Sequence, residues 1–210
     1  MEIRYFKELD STQKYLTSLV RENKIEDSLA IICENQTKGI GSRGNSWEGE
    51  KGNFFASVAL KKEVLPNDLP IESASIYFGW LMIKLLKKYE ARVWLKWPND
   101  IYFEEDKVGG VITSYLKDYF VVGVGINLKD TKDFKGLNIS LRPKEILERF
   151  LNILANPPSW RNVFDEFEIE FEKSRKFLIH NSQALESLKS AKLQEDGSLI
   201  IDGKKVVSLR

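Results

Sequence analysis

The sequence predicts an α+β fold, with helices packed on one face of a mixed sheet, and three observations carry that prediction. Four strand-like runs follow one another between residues 92 and 128 across short gaps, the pattern of antiparallel pairing. Segments of helical period lie before and after that block instead of alternating with its strands, which separates α+β from a doubly wound α/β fold. With 210 residues, 42% of them apolar, the chain has material for one globular core with a small appended unit and is too apolar for a disordered or fibrous protein.

The elements follow in order. Residues 3–9 alternate as a strand does, and Asp10 and Ser11 then offer capping oxygens to a helix that runs to about Asn23. Residues 28–35, SLAIICEN, form the short apolar run of a buried strand. The polar stretch from Gln36 to Gly52, which holds Gly39, Gly41, Gly44, Gly49 and Gly52, reads as a long loop, and such loops in compact domains are functional or disordered. A strand at 53–60 and a helix from about Pro70 to about Glu90 lead into the four runs at 92–97, 101–103, 110–115 and 119–128, the last two joined by a turn at Asp118. Helices at 143–155 and 160–176 are separated by Asn156, Pro157 and Pro158. Asp196-Gly197 and Asp202-Gly203 mark turns in a small β appendage spanning residues 181–210, short enough to be reduced to a hairpin, behind a main domain of residues 1–180.

Composition excludes several functions. Lys plus Arg number 32 against 31 for Asp plus Glu, and the resulting net charge of +1 gives no general attraction for nucleic acid or an anionic membrane. An anionic ligand must therefore meet a local site. The lone Cys33 cannot close an intrachain disulfide, which fits a reduced cytoplasm. The start, MEIRYFKELDST, has charged Glu2 and Arg4 and no apolar secretory core behind them, and the most apolar window, Ala74 to Leu86, is too short to span a membrane. The expectation is a soluble cytoplasmic protein without membrane partners.

Four segments carry possible chemistry. Gly39-Ile40-Gly41-Ser42-Arg43-Gly44 matches the spacing of a dinucleotide fingerprint, but a polar loop and the strand FFASVAL follow where a helix is needed. It is either an ordinary wide hairpin loop or a place where backbone N–H groups approach an anion. Lys96-Trp97-Pro98-Asn99-Asp100 breaks strand pairing at Pro98, which makes a turn or a polar site. Lys107-Val108-Gly109-Gly110 is a solvated lysine beside a glycine bulge, or a cation above a strand bare enough for a ligand. Gly123-Val124-Gly125-Ile126-Asn127 sets small residues on one side of an apolar strand, for helix packing or for a ligand. His180, the only histidine, lies beyond these motifs and reads as structural or exposed.

Their order and separation together resemble the biotin protein ligase family, in its monofunctional form. The matching stretches are Asp10-Ser11-Thr12, Gln36-Thr37-Lys38-Gly39 through Trp47, KWPND at 96–100, KVGG at 107–110, GVGIN at 123–127 and the terminal Ser208-Leu209-Arg210. The resemblance implies a mixed sheet like that of class II aminoacyl-tRNA synthetases, with packed helices and a reduced SH3-like appendage. It implies an enzyme that joins biotin to ATP as biotinyl-adenylate and passes biotin to a lysine of a biotin carboxyl carrier domain, with Mg2+ accompanying ATP. It assigns Ser11, Thr12, Gln36, Gly39, Lys107 and Gly110 to biotin, and Arg43, Trp47, Lys96, Asn99 and Asn127 to ATP and the adenylate. Lys107 takes the catalytic position, and Asp100 that of a metal or orienting carboxylate. The chemistry agrees, because a carboxylate attacking the α-phosphate brings two anions together and needs cations and backbone donors beside them.

The chain departs from the family's arginine-rich glycine loop, with Ile40, Ser42 and Asn45 at its arginine positions and Arg43 at a variable one. Arg43 can replace one lost contact at most. The resemblance starts with the first residues, so a winged helix-turn-helix reader and specific DNA binding are not expected, while a homodimer stays open. Alternatives are a lipoate- or octanoate-type carrier ligase, which shares the fold, and a biotin sensor with weak catalysis.

Overall fold

The structure, a computed structural model, describes residues 1–47, 49–181 and 184–207. In chain order it contains β1 (Glu2–Leu9), α1 (Thr12–Arg21), β2 (Leu29–Gln36), β3 (Gly39–Ile40), β4 (Ser46–Trp47), β5 (Phe54–Lys61), α2 (Ala74–Leu86), β6 (Val93–Lys96), β7 (Asp100–Phe103), β8 (Asp106–Leu116), β9 (Tyr119–Ile126), α3 (Pro143–Ala155) and α4 (Trp160–Phe171). The last part adds β10 (Leu178–Asn181), β11 (Ala184–Ser187), β12 (Lys192–Leu193), β13 (Leu199–Ile201) and β14 (Lys204–Val206). The main sheet has seven strands in the order β1-β2-β5-β9-β8-β7-β6. Only β1 and β2 run parallel, and every other neighbouring pair is antiparallel.

The expectation that helices pack on one face is corrected. On the strands, Ala30, Ile32, Val58, Leu60 and Val122 face the large core built with α2, α3 and α4. Their alternates Ile31, Ala59 and Val121 face the opposite way and bury Leu16, Leu19 and Val20 of α1. Strand period 2 lets a sheet apolar on both sides take helices on both. Because α1 is short, it leaves part of its face open, and that opening is where the site lies.

Local chemistry accounts for the boundaries. Ser11 caps α1 by accepting from the Lys14 N–H at 3.4 Å, and Ser159 caps α4 by accepting from the Asn162 N–H at 3.2 Å. The helix expected from Pro70 begins as a 3₁₀ turn at Ile71–Ser73 and becomes α only at Ala74, and the helix expected to reach residue 176 tightens to 3₁₀ over Glu172–Lys176. Lys117 and Asp118, with φ of 47° and 61°, form the tight turn between β8 and β9. The C-terminal part is more than a hairpin: β10 and β11 pair, and β12, β13 and β14 form a separate three-stranded sheet. Its turn seats on the main domain, where the Trp97 indole donates to the Gly197 carbonyl at 2.9 Å and the Trp160 indole to the Glu195 carbonyl at 2.8 Å. A Cβ on Gly197 would stand 2.9 Å from Ile76 and Ser73, and φ there is +74°, so glycine answers both the turn and the close approach. Among the described residues, no helix is long and apolar enough to cross a membrane.

Candidate active site

The N-terminus of α1 lies against β2, β5 and β9 on the open face. Gln36, at the end of β2, accepts from the Thr12 backbone N–H at 2.8 Å and from the Thr12 hydroxyl at 3.1 Å. Ser57, inside β5, donates to the Thr12 hydroxyl at 2.9 Å. This partly buried relay fixes the rotamer of Gln36 with its carbonyl on the helix N-terminus, where a negative dipole end is favoured, and leaves Nε2 as its donor end. Gln13, also buried, donates through Nε2 to the Val121 carbonyl at 2.9 Å. Its Oε1 has no partner among the described residues.

The floor comes from β8 and β9. Gly110 pairs with Gly125 and Ile112 with Gly123, so these four share one side of the sheet with Ser57, which pairs with Gly123. Glycine is needed at two of them: a Cβ on Gly123 would lie 2.8 Å from Gln13 Oε1, and one on Gly125 2.7 Å from the Trp47 indole nitrogen. Gly109 instead faces the Gly125 carbonyl and Ile101 and belongs to strand packing.

Over the floor lies the glycine-rich stretch, and it is ordered differently from a long loop. β3 and β4 pair as a small hairpin, Gly39 with Trp47 and Ile40 with Ser46, closed by the Gly41 N–H donating to the Asn45 carbonyl at 2.7 Å. Its two-residue strands are too short for any periodicity to announce them. Ile40, Gly41, Ser42 and Trp47 lie against the floor and reduce the enclosed space to about 40 Å³. The Trp47 Nε1 is buried without a partner among the described residues.

The mouth is charged. β6 and β7 meet in a tight turn through Trp97, Pro98 and Asn99, with Trp97–Pro98 cis. Asn99 and β8 hold each other: the Asn99 Nδ2 donates to the Val111 carbonyl at 2.8 Å, and the Val111 N–H to the Asn99 carbonyl at 2.9 Å. A bulge shifts the β7–β8 register between Ile101 and Tyr102 and re-aims Lys107. The Lys107 ammonium reaches Asp100 Oδ1 at 2.6 Å, and Lys96 lies 3.6 Å from Asp100 Oδ2. Lys96 is buried between the rings of Tyr102 and Phe177, with centroids at 5.5 and 5.3 Å. Burial pushes its ammonium below the ordinary lysine value, against the pull of the Asp100 carboxylate. Two ammoniums around one carboxylate leave a net positive mouth. A second cavity of about 370 Å³ opens beside it, lined by Lys96, Asn99, Asp100, Lys107, Ser42 and Asn45 among others.

The structure thus gathers Ser11, Thr12, Gln36, Trp47, Asn99, Asp100, Lys107 and Gly110 around one cleft, with Lys96 in the adjoining cavity. A Cβ on Gly39 would meet the Trp47 carbonyl at 2.4 Å and the Gln36 amide nitrogen at 3.0 Å, so glycine there lets the hairpin close against Gln36. Asn127 does not reach the cleft wall. β9 ends at Ile126, the Asn127 N–H goes to the Val108 carbonyl at 2.7 Å, and its side chain accepts from Asn53 at 3.2 Å. The side chains of Arg43 and His180, and Ser208-Leu209-Arg210, lie outside the described residues. Sequence reasoning missed Gln13, which no pattern marks, and Ser57, a lone hydroxyl in the apolar run FFASVAL that could have been noticed. Among the described residues, Asp100 is the one carboxylate lining the mouth, and no group of three or more His, Cys, Asp or Glu could hold a metal. That donor set suits a Mg2+ carried mainly on phosphate oxygens and not a dedicated metal cage.

Comparisons with known proteins agree with this geometry. Residues 5–129 match the model of the biotin/lipoate A/B protein ligase family. Among curated relatives, the bifunctional ligase/repressor BirA of Escherichia coli is 35% identical over 127 residues, 57% of this chain and 38% of that protein. The biotin–[acetyl-CoA-carboxylase] ligase of Mycobacterium tuberculosis is 28% identical over 49% of this chain and 40% of that one. The match therefore spans well under half the length of these relatives. Among solved structures, the biotin acetyl coenzyme A carboxylase synthetase of Helicobacter pylori with bound biotinylated ATP superposes with a TM-score of 0.94 at 39% identity, covering 98% of this chain and 99% of that one. The cleft, the sheet that carries it and the matched stretch coincide, and the chain belongs to the biotin/lipoate A/B protein ligase family.

Proposed function

We propose that the protein is a biotin protein ligase that makes biotinyl-adenylate from biotin and ATP and transfers biotin to the ε-amine of a lysine on a biotin carboxyl carrier domain. The observation that carries the reading is the cleft itself: a neutral, hydrogen-bonding closed end joined to a net positive mouth. The likeness to the Helicobacter pylori enzyme with its bound biotinylated ATP supports it.

Biotin enters with its ring toward Thr12 and Gln36, and its carboxylate comes to rest beside Lys107. There a carboxylate oxygen attacks the α-phosphorus of ATP, and pyrophosphate leaves. Lys107 and Lys96 offset the charge that gathers as the two anions meet, in a site already shaped to hold it. Asp100 keeps both ammoniums in place and, among the described residues, is the carboxylate that would hold a Mg2+, which would neutralise charge on the leaving phosphates. Trp47 packs on the adenine and Asn99 borders the nucleotide. In the second half-reaction the carrier amine attacks the acyl carbon and AMP leaves. Biotin does not fit in about 40 Å³, so the hairpin of β3 and β4 lifts to admit it and recloses over the adenylate.

The test is biotin-dependent exchange of labelled pyrophosphate into ATP, with lipoate and octanoate as controls, followed by labelling of a carrier domain. Exchange with biotin alone supports the reading. Exchange with lipoate or octanoate instead would move the protein to the other branch of its family, and binding without exchange would make it a sensor.

A further inference from the structure

The Lys96 ammonium is held by rings more than by hydrogen bonds. The residue is only 9% exposed, and Asp100 Oδ2 stands 3.6 Å away, longer than a hydrogen bond. The ring of Tyr102, on β7, has its centroid 5.5 Å from the ammonium, and that of Phe177 lies at 5.3 Å. A ring face attracts a cation without taking up its N–H groups, so a caged ammonium keeps its donors for an incoming anion. Tyr102 belongs to the same hairpin as Lys96, but Phe177 comes from elsewhere. It joins the 3₁₀ turn after α4 to β10. Its N–H donates to the Ser174 carbonyl at 3.0 Å, and its carbonyl accepts from the Leu188 N–H, just past β11, at 3.2 Å. The Ser174 hydroxyl accepts from the Trp97 N–H at 3.1 Å, and Lys176 pairs with Glu105 between β7 and β8. The Phe177 ring packs on Trp94 and Tyr102, with centroids at 5.5 and 5.1 Å. The joint that carries the C-terminal strands therefore supplies one wall of the Lys96 cage.

We propose that Phe177 is a positioning residue for adenylate formation, whose ring closes the cage that keeps the Lys96 ammonium at the mouth with its donors free for phosphate. The proposal rests on the reading of the mouth as the end that meets ATP, and deepens it. Without the ring, water reaches the ammonium and the four-carbon stem of Lys96 regains its rotamers, so the cation is no longer set in place before ATP arrives. The charged and titratable neighbours are few among the described residues. Asp100 and Lys107 face Lys96 directly, and Tyr102 is neutral there, its phenol pushed up to about 12 by burial. Glu105 and Asp106 act on Tyr102, and Lys176 lies over the outer part of the cage, 5.7 Å from the centre of the Phe177 ring. None of these is altered by a change at Phe177, so a shift in the titration of Lys96 reads the cage itself.

The test is biotin-dependent pyrophosphate exchange against pH, with ATP and biotin varied in turn, for the natural chain, Phe177→Ala, Phe177→Leu and Phe177→Tyr, and for Phe177→Ala on a Lys96→Met background. Phe177→Ala should lower kcat/KM for ATP about tenfold and leave the KM for biotin within about twofold. Its alkaline limb should move upward, because burial holds the Lys96 pKa below 10.5 and access of water returns it toward that value. Phe177→Leu keeps water out but offers no ring face, so it should lose rate with the limb at or below its natural position. Phe177→Tyr should keep both the rate and the limb of the natural chain. With Lys96→Met already in place, Phe177→Ala should cost little more, since the two changes act on one contact. A loss of the same size with and without Lys96, or a loss in Phe177→Ala with the limb unmoved, would make Phe177 a packing residue and overturn the proposal, although the protein remains a biotin ligase. If Phe177→Ala fails to fold, the opposite behaviour expected of the Leu and Tyr variants decides. Absence of biotin-dependent exchange in the natural chain would instead remove the ligase reading itself.

Discussion

The two ends of the cleft are built from opposite materials. The closed end is neutral, buried and hydrogen-bonded in series: Ser57 to Thr12 and Thr12 to Gln36, with Gln13 beside them. The mouth is charged and partly open, with Lys107 43% exposed and Asp100 17%. Neutral hydrogen bonds in a fixed frame recognise a ground-state shape, whereas a cation surplus near developing charge stabilises what exists only as bonds are made and broken. Each kinetic parameter therefore has its own end of the cleft. Changes at the mouth should lower turnover, and changes at the closed end should raise KM with turnover retained.

The largest expected effect is at the mouth. Lys107→Ala leaves Asp100 facing the incoming anions without its nearest counter-ion, and adenylate formation should fall about 10²–10³-fold. Biotin binding should weaken much less, and single-turnover measurements beside equilibrium binding separate the two. At the closed end, Thr12→Val removes the hydroxyl that links Ser57 to Gln36. KM for biotin should rise about tenfold with kcat within about twofold, a loss of roughly 1.5 kcal/mol for a buried bond. A fall in kcat as large as that of Lys107→Ala would break the division between the two ends.

The pH dependence sharpens it further. Lys96 helps the mouth only while protonated, and burial lowers its pKa from the ordinary 10.5. Activity should therefore fall on the alkaline side at a pH below 10.5, as the ammonium is lost. Lys96→Arg keeps its charge across that range and should move the alkaline limb upward, which a pH profile of pyrophosphate exchange would show. An unchanged limb would take Lys96 out of the chemistry.

The smallest expected effect concerns the cover. Ile40, Ser42 and Asn45 cannot make the charge-assisted bonds of an arginine-rich hairpin, and each such bond is worth on the order of 1.5–3 kcal/mol. Ser42 borders both cavities, so Ser42→Arg should slow adenylate release about tenfold. Arg43→Ala measures what the remaining arginine contributes. An already slow natural release that Arg43→Ala leaves unchanged would refute the idea of a leaky cover.

The same contrast explains what could be read from the chain. The strands and helices that frame the cleft were legible because the buried run SLAIICEN is strand-like in length and Leu16, Leu19 and Val20 recur at helical spacing in α1. The charged mouth was legible as well, since Lys96, Asp100 and Lys107 sit in motifs broken by Pro98 and Gly110, and the turn expected in KWPND lines the cleft. The closed end was only half legible: Thr12 and Gln36 were expected, while Gln13 and Ser57 depend on which strand lies beneath α1. That placement is tertiary. It also hid the second helical face, because an apolar strand does not reveal whether one side or both are covered. Asn127 continues the β8–β9 register through its bond to the Val108 carbonyl, and its side chain is taken up by Asn53 from the neighbouring strand, a tertiary pairing that no spacing announces.

The most direct test of a cleft divided between recognition and chemistry is biotin-dependent pyrophosphate exchange measured in parallel for the natural chain, Thr12→Val and Lys107→Ala across a full range of biotin concentrations. The natural chain should show robust exchange, Thr12→Val a raised KM with retained kcat, and Lys107→Ala a collapsed kcat with a little-changed biotin dissociation constant. Both variants losing the same parameter, or no exchange in the natural chain, would contradict that division.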